Sequence, residues 1–548
     1  MPAVEGTVRK VQLDVELPTQ CGLRDHSGGG GPDGRRWAAT AGVPSRRPPR
    51  PGSQGAADGS VVRRPAGGVS VGTATRDRRS FAEWLRETGL AHNEASPAHY
   101  QRLPSPIQDV LCSAHGLVYV RRLASAPAAT LEHHEIDALH WDAAATADLV
   151  ERRARAILDL ARSLPGYAGA VPPAGTGSAL EELADWAPLT KDQIRSHPEH
   201  FLTRDPGGSD IFAATSGTTG TPVKVWRTLE SYREVVYSRD VIERWFLSPP
   251  RTRRAAFTYR MVVPPASPRV WRLNLPELHV VLSSYHISAD HLPSYERVLA
   301  RWRPHILDGA ASELAELAAL LQERGLSPHV PLVVSSSEML PPSGRSLIRS
   351  VFGGAITDVY GTSEEVALAG ECPAGSRHIL PNVGIIEAVD DAGRPVPAGQ
   401  PGRLLLTTLT NHLMPLVRFD IGDVGSIDEA GSCSCGRTSP VLRDLLGRQD
   451  DVVVTEDGRR ISIFAFSLAL HRDDVVALQL VQERSDVFLV RARLTSGEPG
   501  RRASFETTVR GDFDRLLGPD PGRTVTFRYD DVIEKTPGGK IRNVIRSF

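Results

Sequence analysis

Cysteine, lysine, long apolar runs and charge of a dominant sign are all scarce in this 548-residue chain. Each shortage removes a class of protein. Five cysteines, an odd number, do not make a disulfide scaffold at this length. No stretch reaches the roughly 18 apolar residues that a membrane-spanning helix needs. The first twenty residues, MPAVEGTVRKVQLDVELPTQ, scatter charge through any apolar centre and do not read as a secretory signal. With 64 Lys+Arg against 65 Asp+Glu, the formal charge is −1, which gives no bulk attraction to nucleic acid or to an anionic membrane. A soluble, cytoplasmic protein with neither of those partners is the expectation. The lysines are only Lys10, Lys191, Lys224, Lys535 and Lys540; the other 59 basic residues are arginine. That skew suits a GC-rich coding sequence. Against it, a lysine inside a motif hints that a compact ammonium is needed where a planar guanidinium would not serve.

What is present is a globular composition. The 40% hydrophobic fraction, with 49 glycines beside it, provides for a large core. At roughly 150 residues per domain, the length allows about three to four units, or fewer large ones. Residues 1–75 are rich in Gly, Pro, Arg and Ser, with a glycine run at 28–31 and RRPPRPG at 46–52, so a disordered extension is expected there. From about 77 the spacing turns helical, in SFAEWLRETGL and ATADLVERRARAILDLARSL. After about 200, short apolar runs (VPLVVSSS, GRLLLTTL) alternate with helical stretches such as SELAELAALLQERGL. This predicts an α/β fold with substantial sheet. Near the end VVALQLVQ and VFLVRARL read as strands and SFETTVRGDFDRLLG as a helix. The expected organisation is a large domain of sheets and helices over 76–446, then a small mobile α+β domain over 447–548, with LLGRQDD (445–451) at the junction. There is no repeat of 20–50 residues.

The strongest local signal is Thr215-Ser216-Gly217-Thr218-Thr219-Gly220-Thr221-Pro222-Val223-Lys224. Its glycines let backbone approach a ligand, and its hydroxyl and amide donors can wrap phosphate oxygens. Taken alone, it also suits a polar surface loop. It is not a P-loop, because Thr221-Pro222 follows Gly220 where Lys and Ser/Thr would be required. Downstream come Asp358-Val359-Tyr360-Gly361-Thr362-Ser363-Glu364, then Arg418-Phe419-Asp420-Ile421-Gly422-Asp423, then Gly447-Arg448-Gln449-Asp450-Asp451, and finally Thr536-Pro537-Gly538-Gly539-Lys540.

In that order these segments resemble the adenylate-forming superfamily, in particular its phenylacetate–CoA ligase-like branch. LADWAPLTKDQIR (183–195) and HILDGAASELAELA (305–318) share the likeness, which covers about 180 to 548. The resemblance implies an ATP-dependent enzyme that activates a small, aromatic carboxylic acid as its acyl-adenylate and passes it to an acceptor, coenzyme A first among them. Residues 76–446 would then be the AMP-binding domain. The 215–224 loop would hold the β- and γ-phosphates. Tyr360 would stack near the adenine, beside Gly361 and with Asp358 as a further contact. Thr362 would bond the α-phosphate, and Glu364 would bind Mg²⁺, a hard cation suited to carboxylate oxygen. Asp423 would take the ribose hydroxyls, with Arg448 at the ribose and phosphate edge. Lys540 would neutralise charge in the transition state, carried in by a rotation about Asp450. A homodimer is an admissible assembly.

Two segments depart from that branch. Residues 225–290 lack its glycine-rich aromatic stretch; Tyr259, Trp271 and Tyr285 read as core aromatics before pocket lining. At 454–462 the chain has VTEDGRRIS in place of a Gly-Asn-Val-Phe-Pro-like segment, which keeps an amine, a carrier-protein thiol or another small nucleophile of specialised metabolism open as the acceptor. A catalytically dead relative is the rival class, and its signature would be loss of Glu364, Asp423 or Lys540, all present.

Cys372-x5-His378 and Cys433-x-Cys435 form a second constellation. Three thiolates and an imidazole complete a tetrahedral Zn²⁺ site that would staple the 372–378 loop to the 433–435 loop. Reduced, unligated cysteines beside a turn are the alternative. A zinc-centred nucleic-acid module would need basic residues nearby, but 419–431 has Asp420, Asp423, Asp428 and Glu429 and neither Lys nor Arg. Cys21 and Cys112 have no assigned partner.

Overall fold

The computed structural model describes residues 100, 102–126, 130–169, 172, 177–214, 223–246, 252–258, 262–264, 266–448, 452–457, 460–462, 475–494, 497–530, 533 and 544–547. All belong to one compact unit, Ala74–Phe548. The expected extension over 1–75, the SFAEWLRETGL stretch, the 215–222 loop, Tyr259, Asp450 and Lys540 lie outside the described residues.

A hairpin, β1 (Ile211–Ala214) and β2 (Lys224–Arg227), brackets the hydroxyl-rich loop. The main sheet has twelve strands: β3 (Arg254–Thr258), β4 (Trp271–Asn274), β5 (His279–Ser283), β6 (Ile306–Ala310), β7 (Leu332–Ser336), β8 (Ala355–Gly361), β9 (Leu368–Glu371), β10 (Arg377–Ile379), β11 (Gly384–Val389), β12 (Gly402–Thr408), β13 (Phe419–Asp428) and β14 (Val441–Arg448). Their spatial order is β11-β12-β13-β14-β10-β9-β8-β7-β6-β3-β5-β4. Strands β5, β3, β6, β7 and β8 run parallel, and every other pairing is antiparallel.

The parallel strands are covered on both faces, which is why β7 opens on the unbroken apolar run Leu332-Val333-Val334. On one face Leu307, Val333 and Ile356 pack against the helices Leu292–Trp302, Ala311–Glu323 and Pro342–Phe352. On the other, Ile306, Val334 and Val359 pack against Val235, Val241 and Ile242 of the helix Leu229–Arg244. Gly353, at φ +69°, ends the helix Pro342–Phe352 in the left-handed conformation that glycine adopts freely, and so turns the chain into β8.

A short hairpin, β15 (Val452–Val454) and β16 (Arg460–Ser462), follows. Beyond it a four-stranded sheet, β17 (Val475–Arg484), β18 (Val487–Leu494), β19 (Thr524–Tyr529) and β20 (Val544–Arg546), has the order β19-β18-β17-β20. The helix Pro499–Leu517 supplies Phe505, Val509 and Phe513 to its core. Val476 of β17 joins the core beneath the Ala311–Glu323 helix, and Arg493 reaches Glu316 of that helix at 3.2 Å.

Candidate functional site

Strand β8 delivers the Asp358–Glu364 motif to the carboxyl edge of the parallel strands, where α/β sheets bind their ligands. Tyr360, buried in the core, donates its hydroxyl to Asp423 Oδ2 at 3.1 Å. Asp423 stands opposite the backbone of Arg448 in the β13–β14 ladder. Asp423 and Arg448 thus face each other on adjoining strands, and Tyr360 reaches Asp423 from β8, beyond β9 and β10 in the sheet. Thr362 follows directly, and its buried Oγ1 has no hydrogen-bond partner among the described residues. Glu364 is buried at 6% exposure and has no ion pair among the described residues. Lys224, at the start of β2, is exposed.

Asp358 is held by a network that the sequence did not announce. Arg377 donates to its Oδ2 at 2.6 Å, while Oδ1 is buried and has no partner among the described residues. The Asp358 N–H donates to Glu371 Oε2 at 3.2 Å, and Arg345 donates to the same oxygen. Burial pushes the Glu371 carboxyl above the usual range, against the pull of Arg345. An unmade hydrogen bond at a buried atom costs roughly 1–3 kcal/mol. Thr362 Oγ1 and Asp358 Oδ1, two such atoms within five residues, describe a place shaped for a polar ligand.

Arg418 opens the third motif and is fully buried at φ +47°. It donates to the carbonyls of Ala184, Trp186 and Gly393, at 2.9, 2.6 and 2.7 Å, and pairs with Glu387. Alongside, the Leu189 N–H donates to the Arg418 carbonyl at 3.0 Å and the Asp420 N–H returns a bond to the Leu189 carbonyl at 2.8 Å. Lys191 donates to the carbonyl of Ile421. The 183–195 segment thus braces the strand that carries Asp423.

The second constellation converges as expected. The donor atoms of Cys372, His378, Cys433 and Cys435 all lie within 4.8 Å of one another. Cys372 Sγ and Cys433 Sγ are 3.8 Å apart, and Cys435 Sγ is 3.2 Å from His378 Nε2. Thiolates 2.3 Å from a tetrahedral zinc would be separated by roughly 3.8 Å, so the donor set fits the metal. His378 Nδ1 lies 3.3 Å from the Ser439 carbonyl, which can only accept. The Ser439 hydroxyl is also 3.3 Å from Nδ1; the tautomer that donates from Nδ1 to the carbonyl leaves Nε2 with its lone pair toward the sulfurs. Burial pushes the Cys372 thiol up to about 11; a divalent cation among the sulfurs would reverse that preference.

The aromatic readings separate. Trp271 is covered by the guanidinium of Arg269, 3.5 Å above its ring, and Arg269 is itself fixed by Asp109 at 2.7 Å. Tyr285 is 46% exposed. Sequence reasoning missed Arg345, Glu371 and Arg377 behind Asp358, and Ser439 behind His378. Only the strand alternation of Arg377 and His378 could have signalled any of them.

No family model matches the chain. Protein CapK of Staphylococcus aureus is 21% identical over 366 residues, which span 66% of this chain and 79% of that one. A phenylacetate–coenzyme A ligase of Thermus thermophilus is 32% identical over 161 residues, 28% of this chain and 36% of the enzyme. Its Pseudomonas putida counterpart is 23% identical over 392 residues, 66% of this chain and 79% of the enzyme. Among solved structures, 2-hydroxyisobutyryl-CoA ligase in the postadenylation state in complex with 2-HIB-AMP aligns with a TM-score of 0.54 at 17% identity, over 83% of this chain and 94% of that one. That likeness is one of fold.

Proposed function

We propose that this chain, a member of the phenylacetate–CoA ligase-like branch of the adenylate-forming superfamily, joins a small carboxylic acid to coenzyme A by way of an acyl-adenylate. One observation carries the reading: at the end of β8 the Tyr360–Asp423 bond stands beside two buried, unpartnered atoms, Thr362 Oγ1 and Asp358 Oδ1.

In this reading Tyr360 flanks the adenine, Asp358 Oδ1 accepts from its exocyclic amine, and Asp423 receives the ribose hydroxyls. Arg448 serves the ribose and phosphate edge. Thr362 donates to the α-phosphate, and residues 215–224 hold the β- and γ-phosphates. Glu364 would hold Mg²⁺, whose charge offsets that of the phosphates. A carboxylate oxygen attacks the α-phosphorus and pyrophosphate leaves. The thiolate of coenzyme A then attacks the acyl carbon, and AMP leaves. Lys540 belongs to the first step, balancing charge as it develops. Residues 447–548 would turn about Asp450 against the 76–446 body between the two steps. The acid is small and aromatic in the fullest form of this reading.

Cys372, His378, Cys433 and Cys435 would hold a structural zinc, its four positions filled by protein. A second acceptor reading, an amine or a carrier-protein thiol, draws on VTEDGRRIS (454–462), whose ends pair as the β15–β16 hairpin. The deciding experiment is carboxylate-dependent exchange of pyrophosphate into ATP across a panel of acids, then mass spectrometry of products formed with coenzyme A. Absence of exchange with every acid would refute adenylation. Exchange without a thioester would transfer support to the other acceptors.

A further inference from the structure

The helix Leu229–Arg244 lies across the β8–β9 hairpin. Gly370 makes the approach close, since a methyl group there would fall 2.5 Å from Ile242. Gly370 pairs with Val359 and Gly361 with Leu368, so the next turn back along the helix reaches the loop end of the hairpin. Arg239 sits at that end. A methyl group on Gly361 would lie 3.9 Å from its Nη2.

Two arginines near this path are committed. Arg227 is buried, ion-paired to Glu365 of the turn after Thr362, and packed over Tyr232 at 5.6 Å. Arg254 is held by Glu243 and Asp308. Asp240, next to Arg239, faces His133 at 3.2 Å. Among the described residues no carboxylate pairs with Arg239, and its side chain is exposed. An uncommitted guanidinium therefore stands at Gly361, one residue from the unpartnered hydroxyl of Thr362. Its planar fork of donors matches phosphoryl oxygens two at a time, which an ammonium cannot do.

We propose that Arg239 is a further binding residue for the nucleotide, gripping the β- and γ-phosphoryl oxygens and the pyrophosphate they become. This rests on the reading above and adds a cation outside the 215–224 loop. The carboxylate of the acid is the other oxyanion that could reach the same place, so the test separates the two.

Magnesium pyrophosphate is titrated calorimetrically into the full chain as wild type, Arg239→Ala and Arg239→Lys, with circular dichroism melts confirming that each is folded. The expected result is at least a tenfold weaker pyrophosphate affinity in the alanine variant, partial recovery in the lysine variant, and AMP affinity within twofold of wild type. In exchange assays the KM for ATP rises about as much while the KM for the acid holds. Equal pyrophosphate affinity in all three chains overturns the proposal, as does a rise confined to the KM for the acid. A chain that loses pyrophosphate with Arg239→Ala yet adenylates no acid would sink the ligase reading and leave this inference standing.

Discussion

Arg377 and His378 are adjacent on β10 and serve different sites. Arg377 donates to Asp358 Oδ2 at 2.6 Å, and His378 Nε2 lies 3.2 Å from Cys435 Sγ. Strand alternation makes this unavoidable, because successive side chains leave opposite faces of the sheet. The position of the Cys/His cluster and the set of the Asp358 carboxylate are therefore mechanically linked through one three-residue strand.

Removing the metal tests that link. Purified protein is expected to contain about one zinc per chain, and Cys433→Ser to contain almost none, by mass spectrometry of the metal. The melting temperature should fall in the variant, and the KM for ATP should rise several-fold, because β10 no longer has its anchor. Zinc affinity should fall as pH drops, since the ligand thiols must lose protons to bind.

Thr362→Val deletes a hydroxyl that has no hydrogen-bond partner among the described residues. Urea unfolding should show stability unchanged or slightly raised, since a buried unpaired polar atom disappears. Adenylation should slow by about a hundredfold, the usual scale for losing a donor aimed at developing negative charge. A large loss of stability would mean that the hydroxyl is structural.

Tyr360→Phe removes the hydroxyl that donates to Asp423. A hydrogen bond to a charged group contributes about 1.5–3 kcal/mol, so the KM for ATP should rise about tenfold or more while the KM for the acid holds. Equal rises in both would contradict a role for this pair at the ribose.

Arg418→Met keeps the volume and deletes a guanidinium bonded to three carbonyls and Glu387. Removing one partner of a buried pair costs about 3–5 kcal/mol. Burial already pushes the Glu387 carboxyl upward, and losing Arg418 should push it further. Denaturant midpoints report the loss; a change under about 1 kcal/mol would contradict it.

Much of the architecture was legible because apolar period is a local property. The strands β7, β12, β17 and β18 and the helix Ala311–Glu323 coincide with runs read from the chain. The meeting of Cys372, His378, Cys433 and Cys435 was legible from residue type, although their spacing is unlike a Cys knuckle: one half lies around β10, the other in the loop before β14, and the two strands pair only after folding. What supports Asp358 was not legible. Arg345, Glu371 and Arg377 come from a helix and two strands, and ion pairs between distant segments leave no periodic trace. Arg239 was hidden for the same reason among 59 arginines.

The brace formed by Leu189 and Lys191 along β13 has a practical consequence. Trimming the polypeptide to begin beyond Ser196 would strip that strand of its neighbour while leaving every catalytic motif in the gene. Such a shortened chain would retain its signature sequences and still tolerate heat poorly, with Asp423 adrift from Tyr360.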